Sequence, residues 1–289
     1  MVVALVGREA GIRPAIAVLV LLAASAHAAW NALAKRSPSQ ETAFFYINAT
    51  VAAVGIALEL SLGIPLEAAL PFVLGSAAIH VAYNLFLLNS YRSGDLSLTY
   101  PIARGVAPLA VAGAAWVIAG ERLAPPQILA VAVIGAGLIS LAQFRTAGSR
   151  RAVAFSLATG ATIATYSLLD GLGVRHAQGT LPYIGALFAL EGTAISVVIA
   201  AIRRRRGESP LPPPSLAAIG AGALSFLAYA AVLYAQRRAA LALVSALRET
   251  SVVVAMLIGH IWLKEELTPR RLAASIAITI GVAALVLLH

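Results

Sequence analysis

Ten stretches of about 20 mainly apolar residues follow one another along the chain. They lie near 14–34, 43–62, 70–90, 97–118, 126–144, 153–174, 182–202, 215–236, 240–262 and 270–288. A helix of that length crosses the roughly 30 Å hydrocarbon core of a bilayer, and a segment in lipid must satisfy its own backbone hydrogen bonds. The expected fold is therefore all-α: a polytopic membrane protein with ten transmembrane helices, with the lipid bilayer as its surroundings. Of 289 residues 60% are hydrophobic and 11% charged, against about 45–50% and about 25% in soluble domains. Pro38, Pro65, Pro71, Pro125, Pro126, Pro182, the Pro210 to Pro214 cluster and Pro269 fall between segments or at helix starts, where a missing N–H does least harm. The first apolar run lacks a convincing small-residue cleavage site and reads as a retained helix.

A net charge of +9 in a soluble chain would suggest nucleic acid. Here all of the 21 Lys and Arg except Arg104 and Arg248 fall in the connections, so they read as topology anchors, with no nucleic-acid partner. Six of them (Arg8, Arg13, Arg122, Arg175, Arg237 and Arg238) share the N-terminal side, and the remaining thirteen lie opposite, Arg203 to Arg206 among them. Basic residues in short loops favour the cytoplasm, so both termini are predicted outside. The absence of Cys excludes disulfides, thiol nucleophiles and thiolate metal sites.

The two exceptions stand 144 positions apart, as 248 is from 104. The same offset pairs Glu121 with Glu265, Leu123 with Leu267, Pro125 with Pro269, Gly137 with Gly281 and Leu141 with Leu285. The chain therefore reads as a duplication, with 1–148 and 149–289 as five-helix repeats joined in the basic link from Arg145 to Arg151. An Arg inside an apolar helix costs about 2.5–3.5 kcal/mol on insertion scales, so two at matched positions point to a polar cavity. Pro101 and Pro108 lie in the same segment as Arg104 and remove partners from the carbonyls of Ser97 and Arg104.

Other polar residues cluster by helical spacing. Trp30 and Asn31 share a face with His27; His80, Tyr83 and Asn84 share another; Tyr100 stands one turn before Arg104. Tyr229 lies in the eighth segment, and Glu249 follows Arg248 in a polar island that runs to Ser251. Glu191 is a carboxylate near the middle of the seventh segment, and Asp170, one turn after Tyr166, falls either in the membrane or at its edge, where a pair to a basic residue is the alternative. Each of these groups could equally serve as hydrogen-bonding glue between helices. Glu59 is placed at the headgroups and given no role. Small residues at intervals of four in the fifth and tenth segments mark packing helices.

The ten-segment plan, the duplication and the Gly-Glu-Arg-Leu of Gly120 to Leu123, part of a Glu-x-Leu-x-Pro run ending at Pro125, resemble the EamA-type branch of the drug/metabolite transporter superfamily. Within it the chain is most similar to the amino-acid and aromatic amino-acid exporters. The resemblance implies two inverted five-helix repeats around a cavity lined by the third, fourth, eighth and ninth helices and parts of the first and sixth. It implies alternating access without covalent chemistry. The second copy departs from the first where Ser245 replaces Pro101 and Glu249 replaces Gly105.

On this reading Trp30, Asn31, His80, Tyr83, Asn84, Tyr100, Arg104, Tyr229, Arg248 and Glu249 bind a small zwitterion, an amino acid first of all. Its carboxylate lies near Arg104 or Arg248, its ammonium near Glu249 or backbone carbonyls, and its side chain against Tyr83, Tyr100 and Trp30. Proton coupling, if present, falls to Glu249 ahead of Asp170 and Glu191. Sugar phosphates and nucleotide-sugars are the alternative substrates, since Arg also suits phosphate. An intramembrane enzyme acting on lipid-linked substrate is the rival from another class, but no metal-binding carboxylate cluster, nucleophile beside a base or phosphate loop is evident. No cofactor or metal is expected, and the location expected is the cell's inner membrane.

Overall fold

The structure is a computed structural model and describes residues 12–34, 39–62, 68–93, 96–142, 150–264 and 266–287, without the side chains of 87–93, 96–100 and 262–263. The helices are α1 (Pro14–Ala34), α2 (Gln40–Leu62), α3 (Leu70–Ser93), α4 (Leu96–Ala119), α5 (Pro125–Ser140) and α6 (Arg150–His176). They continue with α7 (Thr180–Arg205), α8 (Leu216–Gln236), α9 (Leu241–Arg248), α10 (Thr250–Leu263) and α11 (Pro269–Leu287). Eight spans are long and apolar enough to cross a membrane, with α9 and α10 together forming one of them, and α3 and α5 supply two shorter apolar helices. The ten expected segments are thus all present, and the ninth is divided at Glu249.

Local chemistry sets the ends. The Ser215 hydroxyl accepts from the Ala218 N–H at 3.2 Å and caps α8. Pro125 and Pro269 open α5 and α11, where a helix donor is orphaned in any case. Leu60, Trp116, Val117 and Leu216 are exposed apolar side chains of the kind a lipid-facing surface carries.

Among the described residues α2 packs on α7, α3 and α4 on α6, α1 on α8 and α10, and α5 on α11. Small residues make these approaches close. A Cβ on Gly192 of α7 would lie 2.5 Å from the Asn48 carbonyl oxygen and 2.8 Å from the Ala52 nitrogen of α2, and backbone cannot yield as a side chain can. We expect Gly192→Ala to destabilise the protein by about 1–3 kcal/mol. Thermal unfolding in detergent checks this against Gly220→Ala, which meets open space.

The α5–α11 contact is reciprocal. The Gly137 position faces the Ala274 carbonyl and the Ile278 side chain, and the Gly281 position faces the Ala130 carbonyl and the Ile134 side chain. Subtracting the repeat offset from 274 and 278 gives 130 and 134, so each helix offers its partner the same positions.

The polar ends sort into two faces. On one, Glu41 at the start of α2 pairs with Arg203 at 3.2 Å and Arg206 at 2.7 Å, at the end of α7. On the same face Arg270 donates to the carbonyls of Ser140 and Ala142. On the other face Glu121 meets Arg175 and the α8–α9 connection. Connections after odd-numbered segments thus meet each other, as do those after even-numbered ones, as ten crossings require.

Candidate functional site

The break between α9 and α10 falls at the polar island. The Glu249 N–H reaches back to the Ala246 carbonyl, and the Thr250 hydroxyl donates to the Leu247 carbonyl at 2.7 Å. In the first copy α4 runs unbroken through Pro101 and Pro108. The two copies differ because Glu249 stands where the first has Gly105. A Cβ on Gly105 would lie 2.6 Å from Ile139 and 3.0 Å from the Gly135 carbonyl oxygen, so a Glu there could not be accommodated against α5. In the second copy the corresponding helices pack less closely on α11, and the carboxylate turns inward.

Inward it meets the matched arginine of the other half. Arg104 Nε lies 3.3 Å from Glu249 Oε2, and Arg104 Nη2 donates to the Ser251 hydroxyl at 2.9 Å. The pair is enclosed, Arg104 at 6% exposure and Glu249 at 2%. Arg248, 8% exposed, has no carboxylate within ion-pair distance among the described residues. Its guanidinium carbon lies 5.4 Å from the Tyr229 ring centroid, within cation–π range. A small pocket opens here, lined by Ala23, Ala24, His27, Arg104, Ala228, Tyr229, Val232 and Arg248. With Arg104 compensated by Glu249, one positive charge is left facing the pocket, and the adjoining walls are aliphatic.

The expected residues divide around this pocket. Arg104, Arg248 and Tyr229 line it, and Glu249 holds Arg104. From α1 it is His27 that reaches the pocket. Trp30 donates to His27 Nδ1 at 3.2 Å, and Asn31 spends its amide on the His27 carbonyl at 2.8 Å. Asn84 does likewise with the His80 carbonyl at 2.8 Å. Tyr83 stands edge-on to Tyr166 at 5.7 Å, and His80 stacks on the same ring at 4.1 Å. The Tyr100 side chain lies outside the described residues.

The carboxylates form a second centre beside the first. Asp170, wholly buried, accepts hydrogen bonds from Tyr229 and from Tyr183, the latter at 3.0 Å. Glu191 Oε2 lies 3.8 Å from His80 Nδ1. Sequence reading placed Ser251 in the polar island without its contact to Arg104, and missed Tyr183 and the part played by His27. Tyr183 and Ser251 carry no one-dimensional signal for these contacts, whereas His27 was already on the polar face of the first segment. Glu59, near the end of α2, turns its carboxylate toward the first turns of α7, where a Cβ on Gly185 would lie 2.4 Å from its Oε1.

On one face of the bundle Glu121 draws both halves together. Its Oε1 pairs with Arg175 Nη2 at 3.0 Å, and its Oε2 accepts from the Leu241 N–H, the first donor of α9, at 2.8 Å. A carboxylate at a helix N-terminus satisfies an orphan donor and meets the positive end of the helix dipole. Arg175 goes on to donate to the carbonyls of Gln236 at 2.9 Å and Ala239 at 2.8 Å, at the opposite end of α8. The Glu-x-Leu-x-Pro run is therefore a fastening between the α4–α5 connection, the end of α6 and the α8–α9 connection.

Residues 150–287 match the EamA-like transporter family, which agrees with the drug/metabolite transporter superfamily that the sequence resembles. No curated protein matches the sequence significantly. A solved structure described only as the crystal structure of a protein superposes with a TM-score of 0.72, covering 94% of this chain and 96% of its own. At 19% identity it establishes a shared fold. The chain is thus a multi-pass membrane protein whose residues 150–287 are similar to the EamA-like transporter family.

Proposed function

We propose that this chain, whose residues 150–287 match the EamA-like transporter family, carries small zwitterions, amino acids first of all, across the inner membrane by alternating access around the Arg104 and Arg248 pocket. The observation that carries this reading is the division of labour between the two arginines. Arg104 is held by Glu249 and Ser251, whereas Arg248 faces the pocket with the tyrosines Tyr229 and Tyr166 beside it and no carboxylate within ion-pair distance among the described residues. One uncompensated guanidinium matches one carboxylate through a two-pronged hydrogen bond. A phosphate dianion would call on both arginines, and Glu249 already occupies one, which favours amino acids over sugar phosphates. The substrate ammonium then lies toward Glu249 and its side chain toward Tyr229 and Tyr83.

The helix pairing supports two inverted repeats, 1–148 and 149–289. Exchanging the first five segments with the last five maps α1 on α8 onto α6 on α3, and α4 on α6 onto the α9–α10 segment on α1. The α2–α7 and α5–α11 contacts map onto themselves. Inverted repeats place the site at their interface and let one repeat rock against the other. The helix break at Glu249 is the kind of discontinuity at which such proteins hold their substrates.

Exchange in proteoliposomes tests the reading. Vesicles preloaded with unlabelled amino acid should take up labelled amino acid, and vesicles preloaded with sugar phosphate should not take up labelled sugar phosphate. The opposite pattern would transfer the site to phosphorylated substrates.

The loop charges favour both termini outside, with the Arg203 to Arg206 run at the cytoplasmic surface. In intact cells a membrane-impermeant thiol reagent should modify a cysteine placed at the C-terminus and spare Ser209→Cys. Modification of Ser209→Cys alone would reverse the orientation.

A further inference from the structure

Beside the arginine pocket lies a group of ionisable side chains that the substrate does not need. His80 of α3 has its Nδ1 3.8 Å from Oε2 of Glu191 of α7, and its ring stands edge-on, 6.1 Å away, to Tyr229, which donates to Asp170 of α6. Its Nδ1 is 3.0 Å from the Ser76 carbonyl oxygen and 3.1 Å from the Ser76 hydroxyl. A carbonyl oxygen only accepts, so Nδ1 carries a hydrogen and Nε2 is the position free to gain one. Both oxygens of Asp170 are taken by tyrosine hydroxyls, from Tyr183 and Tyr229. Glu191 Oε2 is buried and meets no hydrogen-bond donor among the described residues.

Charge balance then limits what this cluster can be. No Lys or Arg lies within ion-pair distance of Asp170 or Glu191 among the described residues, which leaves His80 as their counter-charge. A neutral imidazole leaves neutrality to two carboxylic acids; an imidazolium balances one carboxylate and leaves one carboxylic acid. Either arrangement without net charge keeps at least one proton on a carboxyl group, and an uncompensated charge at this depth is costly. The other charged groups nearby belong to other contacts. Arg104 is held by Glu249, Arg248 and His27 line the pocket, and Glu59 of α2 lies against Gly185.

We infer that His80, Asp170 and Glu191 form a proton-binding site coupled to the substrate pocket through Tyr229, an inference that rests on the transport reading above. Tyr229 belongs to both centres. Its hydroxyl donates to Asp170 and its ring lies beneath Arg248. An ionised Asp170 holds that hydroxyl by a charge-assisted bond, and a protonated one holds it less strongly. Proton occupancy thereby sets how firmly the Tyr229 ring is fixed under the guanidinium that receives the substrate carboxylate. Glu191, with 13% of its side chain exposed, is the open end of the cluster, and Asp170 is the closed end. Glu249, the first candidate from sequence because it adjoins Arg248, is ion-paired with Arg104 instead.

Two measurements on the purified full-length protein separate this inference from the transport reading. The first needs no substrate: the infrared C=O absorption of protonated carboxylic acids is titrated with pH in the wild type, Asp170→Asn and Glu191→Gln. A titrating band that is weakened in both variants is expected. Its absence from the wild type, or its persistence unchanged in both variants, would overturn the proton site. The second compares exchange at equal pH with accumulation driven by a pH gradient. In the wild type the gradient should drive accumulation; in Glu191→Gln exchange should survive and gradient-driven accumulation should be lost. Accumulation retained in Glu191→Gln, or no effect of the gradient on the wild type, would overturn the coupling. Absence of amino-acid exchange from the wild type would count against the substrate instead, and the infrared titration would still decide the proton site.

Discussion

Arg248→Ala should yield a folded, inserted protein whose amino-acid exchange falls by about tenfold to a hundredfold. A hydrogen bond to a charged group is worth about 1.5–3 kcal/mol, and each 1.4 kcal/mol is about a factor of ten. Among the described residues Arg248 has no carboxylate within ion-pair distance, so its loss removes the substrate's anchor and leaves the Arg104–Glu249 pair in place. Arg104→Ala is expected to behave differently. It deprives Glu249, 2% exposed, of its counter-charge, and breaking a buried pair in that way costs about 3–5 kcal/mol. Folded yield by size-exclusion chromatography should therefore drop for Arg104→Ala and recover in part when Glu249→Gln is added, while exchange stays low in both. Normal exchange by Arg248→Ala would remove the arginine from the site.

Glu121→Ala should open the face that this side chain fastens. The substitution removes the ion pair of Arg175, which keeps its bonds to the Gln236 and Ala239 carbonyls, and strands the Leu241 N–H, both at the junction of the α4–α5 and α8–α9 connections. Removing one partner from such contacts costs about 1–3 kcal/mol, which shifts a two-state equilibrium by about tenfold or more. Because the chain contains no cysteine, a single Ala228→Cys on the pocket wall reports access cleanly. In detergent its modification by a bulky maleimide should be about tenfold faster in the Glu121→Ala background. An unchanged rate would make Glu121 a local cap without influence on access.

Much of this architecture is legible in the sequence because lipid leaves so few solutions. Apolar runs of the right length must be helices, and most prolines and charges lie where a span begins or ends. The matched arginines are legible for the same reason, since an intramembrane charge needs a cause. Their partners are not. Arg104 finds Ser251, 147 residues away, and Glu121 finds Leu241, 120 residues away, and no local spacing encodes either contact. Helical spacing gathered His27, Trp30 and Asn31 onto one face but could not tell which side chain points inward. The structure gives the pocket to His27 and returns the Asn31 amide to its own helix. Glu59 shows another limit: the sequence offers a carboxylate near a helix end, and only the structure shows that Gly185 on α7 faces it.

The most direct test of the central claim is substrate protection of that same cysteine in the otherwise wild-type protein. Ala228 lines the pocket with Arg104, Tyr229 and Arg248, so an occupying amino acid should shield Ala228→Cys from modification. Shielding should grow with amino-acid concentration and disappear when Arg248→Ala is added. Amino-acid exchange by Ala228→Cys together with a modification rate indifferent to saturating amino acid would contradict the account, because the substrate would then pass without entering the arginine pocket.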